Sequence, residues 1–314
     1  MAQKIQKLII APVDGSENSQ NALGYLNAIY GSAGNVTIIL FYVLPTLPPL
    51  LIDEQKKDRN LAKKLETLKD KNLKMAERIL KDAAAFLVEQ GFARERIETV
   101  FQEKKRETAL DICDFAEKKR ADAVLLNTRG RSRIEAFLMG EVARKIMQHI
   151  RICPVWICKG SIESSRILIA VDGSEGALKA VDHAGFMLSG TACHITLFHT
   201  MPNLRKYIPQ ELLADAAELE AFYQQKAGRQ IAPYLKKAKE SLLQAGLLEK
   251  QIAKKIIHGS RCTATDIIRT AREDGCGTIV IGHRGLSGIK DFFMGSVTRK
   301  ILDDMAGMAV WITK

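Results

Sequence analysis

The segment APVDGSE at residues 11–17 returns as IAVDGSE at 169–175, MGEVARKI at 139–146 as MGSVTRKI at 294–301, and PVWI at 154–157 as AVWI at 309–312. Partner segments stay 155–158 residues apart, so one unit is written twice along the chain. Solenoid repeats run roughly 20–50 residues, and a period this long is instead that of a duplicated domain. A chain of 314 residues accommodates this, since each half is long enough to bury roughly two thirds of the surface its unfolded chain would expose. The polar stretch KGSIESS, residues 159–165, reads as the linker, which sets the expected domains at 1–159 and 165–314.

Within each copy, short β-branched apolar runs alternate with amphipathic stretches, the pattern of βαβ units around a parallel sheet covered on both faces. The expected strands of the first copy are 8–13, 36–42, 97–101, 123–126 and 155–157; those of the second are 167–171, 194–198, 253–257, 278–281 and 309–312. A long helix fills the gap between the second and third strands. In the first copy its apolar stripe is read as Leu61, Leu65, Leu68, Met75, Ile79, Ala83 and Phe86. In the second copy Pro233 is expected to break or kink the corresponding helix.

Several function classes are set aside by composition. The uncharged run from Asn18 to Ile52 is interrupted by Gly24, Gly31, Gly34, Pro45, Pro48 and Pro49, too often for a membrane span. The opening MAQKIQK leads into a strand without the apolar stretch of a signal peptide, so a cytoplasmic location is expected. Six cysteines without a CxxC pair read as reduced, mostly buried thiols. His194 and His199 lie five apart on a strand and face opposite ways, which argues against a metal site. The net charge of +11 is spread evenly, 26 basic against 20 acidic residues in 1–158 and 21 against 16 in 159–314. An even spread favours attraction of small anions over a nucleic-acid patch.

Ligands of such sheets bind beyond the carboxyl ends of the strands, where strand order reverses. In the second copy Asp172 follows the first strand and either caps the next helix or accepts from ribose hydroxyls. Gly282 and Gly285 follow the fourth strand and let backbone N–H groups approach a phosphate. Gly295 and Ser296 open the next helix, whose unpaired N–H groups favour an anion, with Ser296 and Thr298 as hydroxyl donors. This G-x2-G-x9-G-S pattern, with an aspartate after the first strand, resembles the ATP-binding branch of the universal stress protein family over nearly the whole chain. The resemblance implies Rossmann-like, adenine nucleotide alpha hydrolase-like domains with five-stranded sheets of order 3-2-1-4-5. The two domains would pair through their last strands within one chain; a further homodimer is left open. It also implies a cofactor-binding set of Ala170, Val171, Asp172, Thr200, Gly282, Arg284, Gly285, Gly295, Ser296, Val297 and Thr298, taking ATP or AMP with or without magnesium.

The first copy departs from this motif, with Asn127 at the first glycine and Glu141 at the serine. Glu141 either occupies the anion position at its helix start or is an exposed first-turn residue. Asp14 is retained, and Arg129, Arg131 and Arg133 either draw anions or sit in a solvated loop. No Walker-type GxxxxGK[ST], Ser/His/Asp constellation or magnesium-holding acidic pair is legible, and His283 is read as a surface loop residue rather than a catalyst. The resemblance implies a stress-response regulator acting through ligand-dependent interaction rather than as an enzyme, with slow ATP hydrolysis or self-phosphorylation left open. The alternative is a nucleotide-independent interaction or lipid-binding protein, suggested by the apolar loop LPTLPPLLI at 44–52.

Overall fold

The computed structural model describes residues 6–31, 35–128, 140–151, 153–204, 208, 217–282 and 295–313. The first copy contributes β1 (Lys7–Pro12), α1 (Glu17–Tyr30), β2 (Val36–Leu44), α2 (Pro49–Glu54), α3 (Arg59–Glu89), β3 (Ile97–Glu103), α4 (Thr108–Lys119), β4 (Ala123–Asn127), α5 (Glu141–His149) and β5 (Val155–Lys159). The second contributes β6 (Arg166–Ala170), α6 (Glu175–Leu188), β7 (His194–Pro202), α7 (Ala217–Gln244), β8 (Ile252–Ser260), α8 (Thr263–Glu273), β9 (Thr278–Gly282), α9 (Ser296–Asp304) and β10 (Met308–Thr313). Ten strands form one sheet in the order β3-β2-β1-β4-β5-β10-β9-β6-β7-β8. Each half has the expected order, parallel throughout, and the halves meet where β5 and β10 pair antiparallel.

All ten expected strands are present, most of them longer than their apolar runs by one to four residues. Two other expectations need correction. The α3 stripe is out of phase along part of the helix: Leu68 and Met75 are exposed, at 43% and 47%, while Ala76, Leu80, Ala83, Ala84 and Leu87 are buried. Small alanines allow the helix to sit close to the sheet, and an apolar count alone undervalues them. The α7 helix is not broken at Pro233. Buried Ile231, Leu235, Ala238 and Leu242 lie on both sides of the proline and anchor the helix across the lost hydrogen bond.

At the seam β10 pairs with β5 so that Trp311 lies opposite Trp156, and their rings stack with centroids 3.8 Å apart and planes within 1°. Both rings are wholly buried. An indole N–H is a donor that must find a partner, and each finds it in the other domain. Trp156 donates to Nε2 of His183 on α6 at 3.1 Å, and Trp311 donates to the Tyr25 hydroxyl on α1 at 2.7 Å. Tyr25 and His183 correspond under the repeat. Tyr25 also hydrogen-bonds Thr278 on β9 at 2.8 Å. Buried residues from both copies are continuous on each face of the sheet.

Because an indole cannot accept, His183 must be neutral with its proton on Nδ1, and burial pushes its pKa down to about 3. The unfolded chain, with an ordinary histidine near 6.5, takes up a proton that the folded chain refuses. This contribution to stability is complete above pH 6.5 and is lost as pH falls towards 3. Unfolding free energy measured in urea should therefore fall by about 1.4 kcal/mol per pH unit more steeply in the parent than in His183→Gln between pH 6 and 4. Equal slopes would mean that His183 is charged or solvated. Trp311→Ala removes the stack and its hydrogen bond together, and should cost about 3–5 kcal/mol in the same measurement.

Candidate nucleotide cleft and its degenerate twin

The carboxyl edge of the first domain carries an open cleft of about 400 Å³. Its walls are the β1–α1 turn with Asp14 and Ser16, the end of β2 with Tyr42 and Val43, the start of α4 with Thr108, and Asn127 with the start of α5. The apolar loop 44–52 contributes nothing to this lining; its own Leu44 and Leu47 are buried, and its Leu50 is 71% exposed. Asp14 Oδ1 accepts from the backbone and hydroxyl of Ser16, at 3.0 and 2.6 Å. Burial, aided by the Asp14 charge, raises the pKa of Tyr42 beside it.

Glu141 takes the second of the two alternatives. Its side chain is 72% exposed and meets Lys145, one helical turn on, at 2.9 Å. That hydrogen bond holds its carboxyl below the usual range. The helix start is Gly140, with no side chain folded back over the first N–H groups, so Glu141 does not occupy the anion position. Lys145 also meets Glu107, immediately before α4, at 2.6 Å, which links the starts of α4 and α5. Asn127 hydrogen-bonds the Asn18 carbonyl on α1, while its Oδ1 is buried without a partner.

In the second domain the same elements present the expected residues. Ala170 ends β6, and the backbone of buried Val171 donates to the Phe198 carbonyl at 2.8 Å. Asp172 Oδ1 accepts from the Ser174 backbone at 2.9 Å, which turns the chain into α6. Gly173 follows with φ +82°, a conformation that glycine adopts without strain. Thr200 is buried on β7 and donates to the Thr263 hydroxyl at 3.2 Å. Gly295 and Ser296 are exposed at the start of α9, Val297 is half-buried and Thr298 is buried. Arg284, Gly285 and His283 lie outside the described residues, as do Arg129, Arg131 and Arg133.

Gly282 has a packing role that sequence reading missed. A Cβ there would stand 2.5 Å from the backbone of Gly176 in the first turn of α6, whereas one at Gly295 would meet nothing within 4 Å. Glycine faces glycine across this contact, and in the first copy Asn127 faces Asn18. The pairing of small with small is legible only once Gly176 is matched to Asn18. Also missed were Glu107 and Lys145, with their counterparts Cys262 and Lys300. Lys300 lies 3.6 Å from the Cys262 sulfur. Hydrogen bonds from the hydroxyl and backbone of Thr265 lower the pKa of that half-buried thiol, and Lys300 adds to the effect. The other five cysteines are buried. Among the described residues no group of His, Cys, Asp or Glu could hold a metal ion, and no helix is long and apolar enough to cross a membrane.

The sequence pattern of the universal stress protein family matches residues 6–159 and again 163–306. Universal stress protein YxiE of Bacillus subtilis is 30% identical over 146 residues, 44% of this chain and 90% of its own. Universal stress protein MJ0531 of Methanocaldococcus jannaschii is 26% identical over 157 residues, 50% of this chain and 84% of its own. The crystal structure of a universal stress protein from Archaeoglobus fulgidus superposes over 98% of both chains with a TM-score of 0.66 at 20% identity, a likeness of fold.

Gly282→Ala should cost about 1–3 kcal/mol, because backbone rather than a flexible side chain fills the space. Gly295→Ala, facing open space, should cost less than about 1 kcal/mol. Urea unfolding of both variants checks the contrast; equal costs would show that the Gly282–Gly176 approach is not tight.

Proposed function

We propose, from the premise that this chain belongs to the universal stress protein family and carries two Usp domains in tandem, that it is a stress-response regulator binding an adenine nucleotide in its second domain. The observation that carries this reading is the start of α9. Among the described residues Gly295 faces open space, Ser296 is exposed, and the glycine at the N-cap offers no side chain to the first turn, so the helix N–H groups and the positive end of the helix suit an anion. Asp172, half-buried at the same sheet edge, suits ribose hydroxyls. ATP or AMP fits this set: phosphates against α9 and the glycine loop, ribose against Asp172, the base between Val171 and Thr200. Magnesium would travel with the phosphates.

The domains are taken as 1–159, with a site altered at Asn127 and Glu141, and 165–314, with the glycines and Ser296 retained. The first domain has the cleft, with Asn127 and Glu141 on its lining where the second domain has Gly282 and Ser296. Binding without turnover is the proposed mode of action: the ligand joins β6, β9, α6 and α9 and so biases contacts with partner proteins. Six free cysteines suit a reducing cytoplasm.

Calorimetric titration with ATP should give about one site per chain. Ser296→Glu should lower the affinity by at least about thirtyfold, since a carboxylate would stand where the phosphates need donors. Its thermal melting should be unchanged, because α5 already tolerates glutamate at this position. Binding as tight as the parent's would remove the phosphates from this helix start, and two equivalent sites would refute the asymmetry.

A further inference from the structure

Pairing β5 with β10 leaves β3 and β8 as the outer strands of the ten-stranded sheet. An outer strand presents a row of unpaired backbone N–H and C=O groups, which proteins blunt with lysine, proline or a bulge. β8 is blunted in this way: Lys254 and His258 are exposed on it, and its register against β7 is irregular between Thr200 and Pro202. β3 is not. Its sequence IETVFQE holds neither lysine nor proline, and it pairs with β2 in unbroken register from Ile97 to Glu103.

The direction of each backbone group on β3 follows from one bond. The Lys104 N–H donates to the Leu44 carbonyl at 2.9 Å, inward to β2. Alternate residues of a paired strand share a direction, so the groups of Glu98, Val100 and Gln102 also face β2, and those of Thr99, Phe101 and Glu103 face outward. Among the described residues no strand meets them. Beside this open row, α3 and β3 flank a groove of about 600 Å³ whose lining includes Leu80, Ala84, Val88 and Phe101. Val88 and Phe101 are each 42% exposed, so apolar surface lies uncovered next to an unpaired ladder. Every second side chain of a strand added to β3 would lie on the α3 face, at this groove.

The sequence of β3 suits a second copy of itself. Antiparallel pairing about a twofold axis at Phe101 sets that ring against the partner's Phe101. Thr99 then faces the partner's Glu103, Val100 the partner's Gln102 and Glu98 the partner's Lys104, so one opposite pair forms and no like charges meet. An aromatic pair within an antiparallel junction is what Trp156 and Trp311 already make at the seam. The same pairing of β8 about Ile256 would set Lys254 against the partner's His258, with no acid on the strand to balance them. We propose that two copies of this chain associate through β3, about a twofold axis at Phe101, into a sheet continuous across both chains, with Phe101 and Val88 covered at the junction.

The test is sedimentation equilibrium of the full chain across a dilution series, where the parent should show twice the chain mass. Thr99→Pro removes an outward N–H and leaves the bonds to β2, so it should keep the parent's circular dichroism and halve the mass. Phe101→Lys and Phe101→Glu each place like charges on the axis and should also be monomers. Mixed in equal amounts they should regain the doubled mass, because position 101 meets itself only in this pairing. Lys254→Glu, on the opposite edge, should leave the dimer intact. A parent that stays at the chain mass at the highest concentration would overturn the proposal, as would a dimer indifferent to the β3 variants. Two folded monomers that do not associate on mixing would overturn the axis at Phe101. Association lost in Lys254→Glu, or species larger than a dimer, would assign the contact to β8 and overturn the proposal as well. Should the Phe101 variants fail to fold, Thr99→Pro decides: a folded variant that keeps the doubled mass excludes β3.

Discussion

The stacked pair Trp156 and Trp311 is the contact on which the joined architecture depends. Strands β5 and β10 each end a five-stranded sheet, and alone each would present an unpaired ladder to water. Pairing them antiparallel satisfies both ladders and brings the two largest side chains of the core face to face at 3.8 Å. Stacking would be costly if the indole N–H groups were stranded. Each therefore donates across the seam, to His183 and to Tyr25. The two acceptors differ in kind although they correspond in position. A buried phenol is neutral over the whole physiological range, whereas the imidazole is neutral only because burial forbids its charge.

The same device at the ligand edge has diverged further. Around the start of α5 the carboxylates of Glu107 and Glu141 neutralise Lys145, and the corner is electrically complete. Around the start of α9, among the described residues, Ser296 and Cys262 stand where the first domain has its two acids, and Lys300 meets the Cys262 sulfur. Exposed ion pairs contribute little to stability, so loss of the two acids costs the second domain little. In the first domain they tie α4 to α5 through one lysine.

Most of the strand framework could be read from the sequence because buried parallel strands are continuous apolar runs, and duplication shows each run twice. The phase of α3 could not, because Ala76, Ala83 and Ala84 carry the close approach to the sheet while larger Leu68 and Met75 face water. Of the two outcomes expected at Pro233, a break or a kink, the break is absent for a related reason: packing on either side outweighs one missing hydrogen bond. The positions of Asp172 in the turn into α6 and of Gly295 and Ser296 at the start of α9 were legible from their spacing. The lysine clamp was not, since Glu107 and Lys145 lie 38 residues apart and meet only when α4 and α5 come together. Gly282 was legible as a glycine, yet its contact with Gly176 depends on the distance between β9 and α6, which no local pattern encodes.

Helix α6 belongs to both the ligand edge and the seam. Its first turn carries Gly176 against Gly282, and His183 on the same helix accepts from Trp156 in the other domain. Seven residues of helix separate these two contacts, about 10 Å along one rigid element. Any shift of the end of β9 towards α6 must either move the start of α6 or be resisted by it, because backbone already touches backbone at Gly282. Any such movement is delivered to a histidine whose partner is half of the seam. Tight packing passes displacement on rather than absorbing it, so the Gly282 contact at one end of α6 and the Trp156 contact further along it are joined through one rigid helix.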